Sequence, residues 1–243
     1  MRLVRLSLAF VVLVVLGWSS GASGNSAVYD ASLGSLPTAQ GWSLEGVATP
    51  VPVVSGGVLL QGPTGDSQSW TKPLTDLDFS AAGPSFVVEA DLRVISSGFS
   101  AGAIPRAGYQ ISAGDNAGRL FTLFLSDGRV DLHNAGDGAG GVFSNFTTTD
   151  GFHNYRFSID SGLGRLFVDN ASTPLLSLVV GDPGWFPPYT ASFGDGTSAA
   201  SSQTELQHIA FNAVPEPSTA LLLGLGLAGM AAGRRRRVRC LPN

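Results

Sequence analysis

The chain of 243 residues has a single cysteine, Cys240, among its last four residues. No intramolecular disulfide is available, so any folded domain is held by its core alone. Lysine and glutamate are almost missing, with Lys72 as the one lysine and Glu45, Glu89, Glu205 and Glu216 as the glutamates. Their place is taken by 32 Gly and 14 Pro, a composition of many tight turns and few helices. Histidine is limited to His133, His153 and His208, and no His-x-x-x-His or Cys pair gives transition-metal spacing. Gly138-Ala139-Gly140-Gly141 lacks the strand-to-helix setting of a phosphate loop.

What is present alternates. No stretch between Asn25 and Ala213 keeps a 3.6-residue period for more than ten residues, whereas several keep a period of two, so the expected class is all-β. Phe86, Val88, Ala90, Leu92 and Val94 share one face of a strand, with Val87, Glu89, Asp91 and Arg93 on the other. His153, Tyr155, Phe157 and Ile159 alternate in the same way with Asn154, Arg156, Ser158 and Asp160. Asp127-Gly128 is a strong hairpin turn between strands at 119–126 and 129–133. Asp115 to Gly118 joins that pair to 108–112, making a meander, and Ser161 to Gly164 turns 152–160 back into 165–170. Further strands are expected at 42–47, 57–61, 68–72, 175–180, 189–193 and 205–211. At least eleven short strands with wet outer faces require two stacked sheets.

The two ends differ from this middle. Met1-Arg2-Leu3-Val4-Arg5, an apolar run over Leu6 to Leu16 and small residues to Gly24 form a secretory signal peptide, expected at 1–24. Such a segment implies the Sec translocon and signal peptidase as partners. At the other end, Pro215-Glu216-Pro217 leads into fifteen residues from Thr219 to Gly233 and then Arg234, Arg235, Arg236 and Arg237. The span from Ala220 to Met230 is apolar on every face, which belongs in lipid rather than on a protein surface. It is short against the about 17 to 25 residues of a spanning helix, and the arginines are placed to snorkel and to stop transfer.

In that order these residues resemble the PEP-CTERM sorting signal of Gram-negative bacteria, over 213–239. Cys240 to Asn243 run past the basic cluster, a small departure. The resemblance implies an exosortase partner, a transmembrane sorting helix held in the inner membrane before processing, and delivery to the cell surface or outside. A plain membrane anchor is the alternative.

Between Asn25 and Glu216 seven basic residues face eighteen acidic ones, a net charge of about −11 that the whole-chain value of −4 hides. Such a surface argues against nucleic acid and suits divalent cations or neutral sugars. Gly57-Val58-Leu59-Leu60, the long amphipathic strand with its Arg93, Gly151-Phe152-His153-Asn154-Tyr155-Arg156-Phe157, Gly164 to Asn170 and a last strand ending Ile209-Ala210-Phe211 follow a familiar order. They resemble the concanavalin A-like lectin/glucanase superfamily, laminin G type, over residues 28–212. The resemblance implies a jelly-roll sandwich of two antiparallel sheets.

Glucanases of this superfamily carry Glu-x-Asp-x-x-Glu, and here Glu89-Ala90-Asp91 is followed by Val94 where the second Glu belongs. No catalytic residue is therefore assigned, and a non-catalytic carbohydrate-binding or structural module is expected, in a biofilm or exopolysaccharide setting that the sorting signal implies. A glycoside hydrolase and a ligand-free surface protein are the alternatives. Trp185 and Tyr189, in Trp185-Phe186-Pro187-Pro188-Tyr189, are the candidate sugar-stacking residues if exposed, or a plug at an end of the sandwich if buried. Asp115, Asn116, Asp137 and Asp195 lie in Gly-rich turns where Ca²⁺ could find oxygen ligands, as in some members of the superfamily, though ordinary turn chemistry accounts for each.

Overall fold

The computed structural model describes residues 26–46, 49–62, 67–74, 77–81, 83, 85–99, 108–134, 141–179, 181, 190–195 and 200–213. The expected signal peptide, and the sorting segment after Ala213, lie outside them. Among the described residues no helix is long and apolar enough to cross a membrane.

Fifteen strands are described: β1 (Ser26–Asp30), β2 (Ser43–Gly46), β3 (Val53–Ser55), β4 (Val58–Gln61), β5 (Gln68–Pro73), β6 (Phe86–Phe99), β7 (Tyr109–Gly114), β8 (Leu120–Ser126), β9 (Arg129–His133), β10 (Val142–Asn145), β11 (His153–Asp160), β12 (Leu163–Val168), β13 (Leu176–Val179), β14 (Thr190–Asp195) and β15 (Ala200–Ala213). They form two antiparallel sheets. One runs β13-β12-β11-β6-β15-β4-β3, with β1 also paired to β15, and the other runs β10-β9-β8-β7-β14-β5-β2. This is the jelly-roll sandwich that the alternation and the superfamily resemblance lead one to expect.

The period of two decides which face is buried. Phe86, Val88, Ala90, Leu92 and Val94 of β6 enter the core, as do Tyr155, Phe157 and Ile159 of β11. The meander is present as β7, β8 and β9, with Gly128 at φ 75° in the turn where a side chain would be strained. Inside, Phe193 is ringed by Trp42 at 4.7 Å, Trp70 at 5.4 Å and Tyr29 at 5.8 Å between ring centres. A second aromatic group joins Phe121 to Phe157 at 5.0 Å and Phe79 to Phe86 at 5.3 Å.

The longest strand, β15, pairs with β6 from Ala200 to Ala213. Its other edge is shared: β1 takes His208 to Asn212 and β4 takes Thr204 to Leu206. Register shifts between Gln203 and Thr204 and between Leu206 and His208 bend the strand, so that Leu206 and Ile209, three apart, both enter the core.

Candidate functional site

The sheet from β10 to β2 turns one face to the core and the other outward. On β8, Phe121, Leu123 and Leu125 belong to the core cluster, so Thr122 and Phe124 point the opposite way. Register then sets two rows of side chains across that outer face. The first runs His133, Thr122, Ser112, Ser192, Thr71 and Ser43, of which His133, Thr122 and Ser112 are buried and the other three reach solvent. The second runs Phe143, Asp131, Phe124, Gln110, Gly194, Ser69 and Glu45.

These rows are polar yet ordered. Gln110 donates to Ser112 Oγ at 2.6 Å, and the Ser112 and Thr122 hydroxyls share a bond of 3.0 Å. At one edge Arg129 donates to both oxygens of buried Asp131, through Nε at 2.9 and 2.8 Å and also through Nη2. Its guanidinium carbon lies 3.9 Å from the centre of the Phe143 ring, which stays 59% exposed. The pairing with Asp131 holds the guanidinium plane, and that plane in turn supports the ring. Phe124 meets His133 edge to face at 5.3 Å. At the far edge Thr71 donates to Glu45 at 3.0 Å.

Beside Phe143 the surface continues, through Gly128 and Asn145, into an open groove of about 490 Å³ that Asp150, His153 and Asp169 also line. His153 Nε2 is 2.8 Å from Asp150 and Nδ1 is 2.7 Å from Asp169. Two carboxylates on both ring nitrogens require two donors, which is the imidazolium form. Burial by itself would lower the imidazole, but the hydrogen bonds to Asp150 and Asp169 outweigh it and raise His153 above its ordinary value. Asp150 is held below the usual carboxylate range, chiefly by the bond to His153. Asp169, at φ 52° in the turn after β12, also accepts from the Asn154 amide at 3.1 Å.

The residues singled out in the sequence are scattered. Asp115 is fully buried: Oδ1 accepts from the Ala117 and Arg119 amides at 2.9 and 2.8 Å, and Oδ2 accepts from the Phe79 amide and Arg119 Nη1, each at 2.8 Å. Asn116 is exposed and donates its amide to the Leu77 carbonyl at 3.0 Å. Asp195 is buried at the end of β14 next to Gly194, which pairs with Gln110, whereas Asp115 follows the opposite end of β7. At about 3.4 Å per residue the two residues stand roughly 20 Å apart along the strands and do not share a site. Asp137, Trp185, Tyr189, the Pro215-Glu216-Pro217 motif and Arg234 to Arg237 lie outside the described residues. Among the described residues no three His, Cys, Asp or Glu side chains gather as a metal-binding group.

Glu89 and Asp91 project from the outer face of the other sheet. Glu89 pairs in register with Arg156, Asp91 accepts from Asn154 Nδ2 at 2.8 Å, and Val94 is in the core. Among the described residues the rows across the outer face hold two carboxylates, Asp131 on β9 and Glu45 on β2. Five strand spacings of about 4.8 Å separate them by roughly 24 Å, against the about 5 to 9.5 Å of a glycosidase pair.

Residues 213–237 match the PEP-CTERM protein-sorting motif. The sandwich is similar to a conserved carbohydrate esterase of the Shiga toxin-encoding bacteriophage phi24B, with TM-score 0.52 and 16% identity over 77% of this chain and 97% of that one. It is also similar to a prokaryotic β-1,3-1,4-glucanase (lichenase) from a mouse hindgut metagenome, with TM-score 0.50 and 10% identity over 78% and 100%. At such identities the likeness is one of fold. No curated protein matches the chain. The fold is thus a jelly-roll β-sandwich like that of these two proteins. The chain that carries it has a PEP-CTERM sorting motif directly after the last strand.

Proposed function

We propose that this is an exported cell-surface protein, passed through the Sec translocon, cut by signal peptidase and sorted by an exosortase, whose sandwich binds carbohydrate without cleaving it. The sorting motif supports the route: it implies a protein held in the inner membrane and then processed. The observation that carries the binding reading is the outer face of the seven-stranded sheet. Ser43, Thr71 and Ser192 open hydroxyls to solvent on three neighbouring strands, while Ser112 and Thr122 are buried and bonded to each other, and Phe143, backed by Arg129, offers an exposed ring for a sugar face. The acidic surface favours neutral glycans, and the host's exopolysaccharide or biofilm matrix is the proposed ligand source. Trp185 and Tyr189 of the segment before β14 are proposed as further stacking residues.

The test is a glycan array with the purified chain, followed by product analysis on every hit. Phe143→Ala should weaken binding about tenfold or more, and the polysaccharide should keep its length. Hits that ignore Phe143 would move the site elsewhere, and no hit on any glycan would favour a purely structural surface protein. A second reading, hydrolysis, is favoured by one feature: Glu89 and Asp91 are two apart on one strand face. Shortened products that vanish with Glu89→Gln would establish it in place of binding.

A further inference from the structure

The loop between β10 and β11 is pinned where it starts and lightly held where it finishes. The Phe146 amide donates to the Gly128 carbonyl at 3.0 Å. Buried Thr148 donates its hydroxyl to the Ser126 carbonyl at 2.7 Å, and its own carbonyl accepts from the Val94 amide at 3.2 Å. Beyond that point, among the described residues, one hydrogen bond holds 149–152: His153 Nε2 donates at 2.8 Å to the Asp150 carboxylate, whose side chain is 60% exposed. Phe152 rests against the Arg93 guanidinium at 5.8 Å. The groove therefore has one wall of fixed residues, Gly128, Asn145, Phe146 and Thr147, and another, Asp150, fastened through a single imidazole nitrogen.

The two carboxylates on His153 are not held alike. Asp169 also accepts from the Asn154 amide, and its own amide donates to the Asn154 carbonyl at 2.9 Å, so it stays tied to β11 whatever the imidazole does. Asp150 depends on Nε2. The ring between them is packed, with Phe146 edge to face at 4.9 Å and Tyr155 at 6.0 Å. Asp150 and Asp169 are the charges that act on it. The Tyr155 phenol is raised by burial and stays neutral, Arg93 is paired with Glu205 at 2.7 Å, and Arg129 is paired with Asp131. Loss of one proton leaves an imidazole with a single N–H. Kept on Nδ1, that proton preserves the bond to the better anchored Asp169, and Nε2 then turns a lone pair toward an anionic oxygen.

We propose that His153 is a pH-operated latch on the groove: as the imidazolium it fastens Asp150, and as the neutral imidazole it keeps Asp169 and lets Asp150 go. The release comes as pH rises above the ordinary imidazole value of about 6.5, because both carboxylates favour the charged ring. It changes the groove in two ways. The lining residues lose their one positive charge, and the Asp150 carboxylate becomes a free acceptor. A ligand rich in hydroxyl donors then meets an acceptor that at lower pH is spent on His153. The latch belongs to this chain's own residues and does not depend on any glycan being bound.

The experiment is NMR on the perdeuterated full-length chain in detergent, titrated from about pH 5.5 to about 8.5, on both sides of the ordinary imidazole value. Histidine ring spectra give the proton count and the tautomer, and backbone relaxation gives the order of 149–152. His153 should carry a proton on both nitrogens at the acid end and on Nδ1 alone at the alkaline end. Through the same titration the order parameters of 149–152 should fall from about 0.85 to below about 0.6, while those of Phe146 and Thr148 hold. His153→Gln should remove the step. If that variant does not fold, Asp150→Asn serves: its side chain can accept from a charged ring or donate to a neutral one, so 149–152 should stay ordered at both ends. Order at 149–152 that ignores the His153 titration would overturn the proposal. A neutral ring with its proton on Nε2 would overturn it as well, because Asp150 would then be kept. So would a step that persists in Asp150→Asn, by placing the cause outside this pair.

Discussion

Asp115 and Phe157 hold the sandwich by different means, and each substitution has its own cost. Removing the Asp115 side chain leaves the Phe79 and Ala117 amides and Arg119 with lost partners, so Asp115→Ala should lower the unfolding free energy by about 3 kcal/mol or more. Phe157→Ala empties a site packed on Phe121 and should lose about 3 to 5 kcal/mol. Urea titration at constant m-value measures both. His153 adds a dependence on pH. Its folded-state pKa is raised, so the stabilisation is complete below the ordinary imidazole value of about 6.5 and is lost as pH rises through the folded value. Wild-type stability should therefore fall as pH rises from about 6.5 through the folded value, and His153→Gln should flatten that fall. The inward position of Tyr155 and Phe157 was legible, because alternation is a local property. The bonds of His153 were not, because Asp150 and Asp169 arrive from outside its strand.

Strands flanked by strong turn signals, such as β8 and β9 around Asp127-Gly128, were open to sequence reading. Three strands were not. β1 continues directly from the small residues that end the expected signal peptide, β3 is three residues long beside Pro50 and Pro52, and β10 follows the run Gly138 to Gly141, which reads as turn. β10 carries Phe143, so that run concealed the exposed ring of the outer face. Pairing between distant strands was equally hidden: Phe86 opposes Ala213, and no local pattern records it. Position in the sheet should govern tolerance to proline. Ala210 has Val28 on one side and Glu89 on the other, whereas β3 is an edge strand with Val53 53% exposed. Ala210→Pro should cost about 3 kcal/mol or more, and Val53→Pro clearly less, in the same urea assay.

For the molecule as a whole, a core of two packed sheets without disulfides should unfold in one cooperative step that a reductant does not change, which calorimetry with and without dithiothreitol can check. The β6 and β15 pairing closes a loop of over a hundred residues, and such contacts make folding slow. The pairing of β1 with β15 sets Ser26 opposite Asn212, so the two ends of the sandwich leave it side by side. One residue, Val214, separates the last strand from Pro215. On the proposed export route the chain emerges from its N-terminus, and the strand that completes the larger sheet is the last part of the sandwich to cross. Until then β1, β4 and β6 all lack their shared partner. On that route the apolar segment that follows would arrest the chain in the membrane at the moment the fold can close, and membrane arrest and completion of the sandwich would become one event in time. A nascent chain stopped after residue 199 should be degraded by added protease, and one stopped after residue 213 should resist it.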